Sequence, residues 1–344
     1  MQQITTAPLP PTIRSLELEI TGKCQAMCEH CAPASGPTGT DGTMTADDWR
    51  RVIDESAELG IETVQFIGGE PTLHRDLPAL VEHALGRGIG VEVFSNLISV
   101  RRTVWDTLAR PGVRIGTSYY SDLAVQHEQI TKKRGSHQRT RANIVEVLNR
   151  GIPLRVGIVE VLEGQRVAEA EAELRALGVQ QITVDRMRGI GRGARDTEPT
   201  PSELCGHCTK GRGAILPNGD VAGCVLSRFM TAGNVRQQPL ADIVTGPKWA
   251  DIAAVIPPAP VGAGCPPTTA ATATQRTPSP APPSMASSLP RPWEHPRELE
   301  IPRRRPRRQR HTPRLALARP RRHHPPASVR APVVAERPRR LDPP

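Results

Sequence analysis

The sequence predicts an α/β protein: a partial (β/α)6 barrel, then a small α+β region, then a disordered tail. Three observations lead there. Strand-like and helix-like segments alternate six times between residues 15 and 186. The cysteines fall into two separated groups, and past residue 256 the composition changes abruptly. Strands alternating with helices imply a parallel sheet with crossover helices. Six units suit an open, partial barrel better than the closed eightfold one. A flat, doubly wound sheet is the structural alternative.

Residues 15–21 (SLELEIT) alternate leucine and isoleucine with polar side chains, as a strand does. Residues 45–60 read as a helix that Thr45 caps, with Asp48 at its third position and Gly60 at its end. A short apolar strand follows at 63–67, a helix at 76–87, a strand at 91–95 and a short helix at 103–110. Then come a strand at 113–119, a helix at 140–150, a strand at 153–162, a helix at 166–177 closed by Gly178, and a strand at 180–185. Residues 189–198 form a glycine-rich connection. Beyond it, 213–217 and 220–226 flank Asn218 and Gly219 in a strand–turn–strand pattern. The expected units are therefore 14–195, 196–265 and 266–344.

The net charge of +10 invites a nucleic-acid reading, but its distribution argues against one. Beyond Cys265 there are 17 arginines, no lysine and 5 acidic residues, so the rest of the chain is close to neutral, about −2. That leaves the body without an electrostatic footprint for nucleic acid. The terminal segment, rich in proline and arginine, lacks the apolar surface to offset its chain entropy and is expected to be disordered. A GC-rich coding sequence read out of frame would give the same composition, so a frameshifted end and a genuine basic tail both stay open. There is neither a signal-peptide pattern nor an apolar run long enough to span a membrane. Seven unevenly spaced cysteines suit metal sites in a reducing compartment, which means the cytoplasm rather than a disulfide framework.

Cys24, Cys28 and Cys31 form a C-x3-C-x2-C loop directly after the first strand. Three thiolates can hold three irons of a cubane and leave the fourth iron open to a chelating ligand. Zinc normally takes four ligands and favours C-x2-C pairs. The loop also starts at the carboxyl end of a strand, where β/α barrels place their chemistry. Gly68, Gly69, Glu70 and Pro71 follow the second strand. Glycines let a backbone approach a ligand closely, and a carboxylate beside them can bind an ammonium group.

At these residues the chain resembles the radical S-adenosylmethionine (SAM) superfamily, whose cluster loop is C-x3-C-x-(aromatic)-C. His30 stands at the aromatic position, where the resemblance implies a ring beside the adenine. It further implies a [4Fe–4S] cluster on Cys24, Cys28 and Cys31, and SAM as the second cofactor. The expected activity is reductive cleavage of SAM to a 5′-deoxyadenosyl radical that abstracts a substrate hydrogen, the hard chemistry belonging to the cofactor. Gly68, Gly69, Glu70 and Pro71 match the motif that holds the SAM amino group. Weaker matches are Ser95 and Asn96 to the ribose, Ser118 at the end of the fourth strand, and Arg134 to the SAM carboxylate. Each of these has a bland alternative: a loop cap, a strand-end hydroxyl or a solvated charge.

Cys205, Cys208 and Cys224, with Gly219 between them, resemble the opening of a SPASM or twitch domain, which binds auxiliary iron–sulfur clusters. That pattern calls for further closely spaced cysteines, and here only Cys265 follows. The four residues could hold one auxiliary [4Fe–4S] cluster or a structural zinc ion. The resemblance implies a peptide or protein substrate and a reducing donor such as a flavodoxin or ferredoxin, with neither nucleic acid nor membrane as partner. The alternatives are a radical SAM enzyme acting on a small molecule and a metal-binding protein without turnover.

Overall fold

The structure is a computed structural model that describes residues 13–259. Its first strand, β1 (Ser15–Thr21), is buried along its whole length. Strand alternation puts Leu16, Leu18 and Ile20 on one face and Glu17 and Glu19 on the other. Such a strand needs an apolar layer on one side and polar partners on the other, because an unpaired buried carboxylate is costly. Both demands are met by what surrounds it.

The β/α units follow in order. They are α1 (Ala46–Glu58), β2 (Thr63–Gly68), α2 (Leu77–Gly86), β3 (Gly90–Phe94), α3 (Arg102–Leu108) and β4 (Val113–Tyr119). Then come α4 (Ala124–Thr131), α5 (Ser136–Asn149), β5 (Leu154–Glu160), α6 (Val167–Leu177) and β6 (Gln181–Arg186). Strands β1 to β6 lie side by side in sequence order, all parallel. A doubly wound sheet requires the strand order to reverse at a switch point, and within β1 to β6 it does not reverse. Every right-handed crossover then falls on the same face, so the other face becomes the inside of an open barrel.

The outer face carries the apolar core, in which Leu16, Leu18, Trp49, Val52, Phe66 and Leu80 are fully buried. On the inside, Glu92 of β3 accepts two hydrogen bonds from Arg155, at 2.9 and 2.6 Å, and Arg114 lies 2.9 Å away. Burial alone would raise its pKa; the guanidinium groups override that and hold the carboxyl below its usual range. Helix α1 begins with the expected capping box: Asp48 N donates to Thr45 Oγ1 at 3.1 Å, and Thr45 N donates to Asp48 Oδ2 at 2.9 Å.

Two features differ from expectation, and the first is the helical segment between β4 and β5. Helix α4 has little apolar periodicity, burying only His127, Ile130 and Thr131, so its pattern does not announce a helix. Helix α5 starts at Ser136 instead of 140, after Gly135 turns the chain at φ +73°. The second feature is the cysteine-bearing region, whose strands β7 (Arg212–Ile215), β8 (Asp220–Ala222) and β9 (Thr231–Asn234) continue the barrel sheet. Strand β7 pairs in parallel with β1, from Ser15 opposite Arg212 to Leu18 opposite Ile215. Helices α7 (Leu240–Val244) and α8 (Pro247–Val255) pack beside β9. Cys265 and the 266–344 tail lie outside the described residues.

Candidate active site

The loop after β1 is held in place by three neighbouring segments. It is closed on itself by Cys24 N donating to Gly36 O at 3.0 Å and Gly22 N donating to Thr40 O at 2.7 Å. The glycine pair after β2 fastens its start: Gly69 N donates to Thr21 O at 2.7 Å and Glu70 N to Lys23 O at 2.8 Å. Close approach explains the glycines. A Cβ at Gly68, whose φ is +146°, would lie 2.2 Å from Thr21 O, and one at Gly69 would lie 2.3 Å from Lys23 O. The surface these glycines approach is thus the backbone of the cysteine loop itself.

The third segment is the glycine-rich connection. Arg192 N donates to Cys31 O at 3.1 Å, Arg192 Nε to Cys28 O at 2.8 Å, and Arg192 Nη2 to Ser35 O at 2.8 Å. Gly191, at φ +56°, passes so close to Ala32 that a Cβ would meet its carbonyl oxygen at 2.1 Å. Sequence reasoning treated this stretch as a connector. Its signal was the juxtaposition of arginine and glycine, which only a partner in space makes legible.

Cys24, Cys28 and Cys31 line one cavity of about 270 Å³ at the carboxyl end of the barrel, together with His30, Gly68, Gly69, Asn96 and Ser118. Asn96 Nδ2 donates to Cys24 Sγ at 3.5 Å. The His30 ring meets Tyr120 edge-on, with centroids 5.1 Å apart and His30 Nε2 3.1 Å from Tyr120 Oη. Burial, assisted by Arg192, pushes the His30 pKa down to about 4, so the ring is neutral at pH 7. Its Nδ1 is buried without a protein partner. Tyr120, Arg192, Val225 and Leu226 also line the cavity and carry no motif that sequence reasoning could use.

Other expected site residues do not reach that wall. Glu70 is fully buried, and its carboxylate is occupied by the chain: Oε1 accepts from Thr72 N at 3.0 Å, Thr72 Oγ1 at 2.6 Å and Ser95 Oγ at 2.8 Å, while Oε2 accepts from Asn96 N at 2.8 Å. Burial raises its pKa, and these hydrogen bonds pull the other way. Pro71, next in the chain, and Ser95, which donates to its carboxylate, are buried too. Arg134 is exposed in the turn between α4 and α5, away from the cavity lining.

The cavity fits an iron–sulfur cluster and a polar ligand. Burial pushes the Cys24 thiol up to about 11 and, with the neighbouring cysteines, Cys28 up to about 12, so these thiols ionise only for a cation. Three thiols lining one cavity suit three corners of a multi-iron cluster. The orphaned His30 Nδ1 offers a hydrogen-bonding position to a ligand on the same wall.

After β6, Cys205, Cys208 and Cys224 gather in a second, buried group, with Cys208 Sγ 2.8 Å from Cys224 Sγ. Hydrogen bonds from Cys205 and Cys224, and then burial, push the Cys208 pKa far up. Both a zinc ion and a cubane would draw the protons off and need a fourth ligand. Gly206 shows where the chain returns: a Cβ there would lie 2.4 Å from Ala259 N, so residues 257–259 run against the cysteine group.

The chain matches the model of the radical SAM superfamily over residues 18–176 and that of the SPASM iron–sulfur cluster-binding domain over 205–266. It is 28% identical over 195 residues to a PqqA peptide cyclase of Xanthomonas campestris pv. campestris, covering 55% of this chain and 50% of that one. A PqqA peptide cyclase of Bradyrhizobium diazoefficiens is 36% identical over 99 residues, 28% of this chain and 25% of the relative. The chain thus spans about half the length, or less, of these curated relatives. In fold it is similar to Streptococcus suis SuiB bound to S-adenosylmethionine, with TM-score 0.59 and 16% identity over 71% of this chain and 68% of that one. It is also similar to anSMEcpe with bound AdoMet, with TM-score 0.55 and 12% identity over 69% of this chain and 82% of that one. Residues 18–176 are thus a radical SAM region, of the kind that uses a [4Fe–4S] cluster and SAM, and a SPASM iron–sulfur cluster-binding region follows it over 205–266.

Proposed function

We propose that this chain reductively cleaves SAM and uses the product to abstract hydrogen from a peptide or protein, as in the maturation of a ribosomally made peptide. The observation that carries the reading is the convergence of Cys24, Cys28 and Cys31 on one cavity with Gly68, Asn96 and Ser118. Cys24, Cys28 and Cys31 would hold the cluster, and Gly68, Gly69, His30, Asn96 and Ser118 stand where SAM would lie against it. Bound together, cluster and SAM supply a one-electron cleavage of the sulfonium that yields a 5′-deoxyadenosyl radical. The chain positions these partners and keeps water away. Arg192, Gly69 and Glu70 fix the loop, and Asn96 bridges it to the end of β3.

A second chamber of about 200 Å³ adjoins the first inside the barrel and shares Ile67, Phe94, Ser118, Val159 and Val225 as walls. Glu17, Arg155, Arg212 and Asp185 line its far side, so a polar side chain of the substrate has room beside the reacting centre. A peptide substrate agrees with the relatives named as PqqA peptide cyclases and with SuiB bound to its precursor peptide SuiA. Cys205, Cys208 and Cys224, with Cys265 as fourth ligand, are assigned an auxiliary cluster. The six described cysteines are all free thiols, which suits the cytoplasm and a reducing donor such as a flavodoxin or ferredoxin.

The test is anaerobic. Reconstituted with iron and sulfide and reduced with dithionite, the protein should form 5′-deoxyadenosine from SAM. Cys24→Ala, Cys28→Ala and Cys31→Ala should each abolish it, because each thiolate binds one iron. Undiminished cleavage in all three variants would refute the assignment.

A further inference from the structure

The cysteine loop is bonded to a cationic stretch that the catalytic reading leaves unused. Met27 N donates to Thr131 O at 3.1 Å, Glu29 N donates to Ile130 O at 3.1 Å, and Lys132 pairs with Glu29. The end of α4 and the turn after it therefore sit directly on the loop, one peptide bond from Cys28. Between residues 131 and 141 there are five cationic side chains and no acidic one. Lys132 and Arg141 have carboxylate partners in Glu29 and Glu173. Lys133, Arg134 and Arg139 have none among the described residues, and Arg134 and Arg139 are exposed. Glu128, one turn earlier on α4, is the nearest opposing charge in sequence and does not cancel the three.

Met27, whose backbone N–H meets the start of this stretch at Thr131 O, is 50% exposed although it is a large apolar side chain. An exposed apolar residue on a loop bonded to a stretch with three cations lacking carboxylate partners is the pattern of a transient docking site for an acidic protein, in which charge sets the encounter rate and a small apolar contact the fit. One-electron transfer falls off steeply with distance, so a carrier must approach the metal centre closely. Of the loop's three cysteines, Cys28 is the immediate neighbour of Met27 in the chain.

We propose that Met27, Lys133, Arg134 and Arg139 form the docking face for an acidic one-electron carrier, through which the cluster on Cys24, Cys28 and Cys31 is reduced. The inference rests on the radical SAM reading above. One electron leaves the reduced carrier, which is oxidised by one electron, and the cluster gains it. No bond is made or broken across the face.

The experiment compares the reconstituted full chain with its Lys133→Glu/Arg139→Glu variant, using flavodoxin as the probe. Flavodoxin should bind the variant about tenfold or more weakly in calorimetric titration at low ionic strength, since steering of this kind is worth roughly 10- to 1,000-fold. SAM cleavage driven by reduced flavodoxin should fall by a similar factor, and the steep decline with salt seen for the unaltered chain should flatten. Cleavage driven by dithionite, a small reductant that needs no docking face, should be unchanged. Equal flavodoxin affinity in both proteins would overturn the proposal, as would a dithionite-active chain that flavodoxin neither binds nor reduces. Absence of cleavage with dithionite in the unaltered chain would instead sink the radical SAM reading itself.

Discussion

Glu70 shows how a motif residue can act through the chain. Its four hydrogen bonds tie the end of β2 to the end of β3, and Asn96, one of its donors, also reaches Cys24. Glu70→Ala would leave four donors without this acceptor, three of them buried. We expect it to destabilise the fold by roughly 3 kcal/mol or more, since a hydrogen bond to a charged group contributes about 1.5–3 kcal/mol. Denaturation of the iron-free variant and its SAM dissociation constant should both worsen. A change in SAM affinity alone would mean that the carboxylate reaches the ligand and is not a brace. His127 makes a different prediction. Burial, then His137, pushes its pKa down to about 3, and its Nδ1 is buried without a partner. The unfolded chain takes up a proton near pH 6.5 while the folded chain refuses it, so stability is full above that pH and falls as pH drops towards 3. Between pH 7 and pH 5 the loss from this residue is about 2 kcal/mol. His127→Phe should flatten urea-measured stability over that interval by about this amount, and an unchanged slope would contradict the assignment.

At the scale of elements, the contrast lies between a helix that local sequence specifies and a strap that it does not. Helix α1 starts where Thr45 and Asp48 exchange hydrogen bonds, and its Trp49, Val52 and Ile53 recur at helical spacing on the buried side. Thr45→Ala should cost about 1 kcal/mol of stability and leave iron binding alone, because the cap is remote from the cysteine loop. Gly191→Ala should do the reverse. A Cβ there collides with Ala32 O, and the φ of +56° is itself unfavourable for alanine. The strain, on the order of 2 kcal/mol, falls on the segment that clamps Cys28 and Cys31. The ratio of iron to protein after reconstitution and desalting should drop for Gly191→Ala and stay level for Thr45→Ala. Equal retention in both would show that the strap does not hold the loop.

For the whole molecule, the barrel and the cysteine-bearing region share one sheet. Strand β7 covers the edge of β1, Val225 N donates to Glu17 Oε2 at 2.7 Å, and Arg228 Nη1 donates to Glu19 Oε2 at 2.6 Å. A chain ending at residue 195, the boundary that composition marks, would expose that edge and strip partners from two buried carboxylates. Losing the partner of a buried charge costs about 3–5 kcal/mol, so this shortened chain should yield no cooperative unfolding transition. Removing residues 270–344 should leave the transition in place, because that stretch offers little apolar surface to bury. With Cys24, Cys28 and Cys31 all changed to alanine, the remaining protein should retain about four irons on Cys205, Cys208, Cys224 and Cys265. One zinc and no iron would assign the second group to a structural ion.

Sequence alone determined the β/α alternation, the cap of α1, the cysteine loop and the double glycine, because each is local: a period, a turn or a spacing written within a few residues. It favoured the barrel over the flat sheet from the number of units, but the strand order that separates the two is a property of the whole chain. It read Glu17 and Glu19 as the polar side of a strand, and only the closing of the barrel turned that side inward, against Arg212, Val225 and Arg228. It grouped Arg134 with the SAM ligands and passed over Arg192. Tertiary structure sent the first to solvent and folded the second onto Cys28 and Cys31, 164 residues away from Cys28 in the chain. The reason is physical: a motif records what its own residues can bind, whereas contacts made across the fold depend on which surfaces packing brings together.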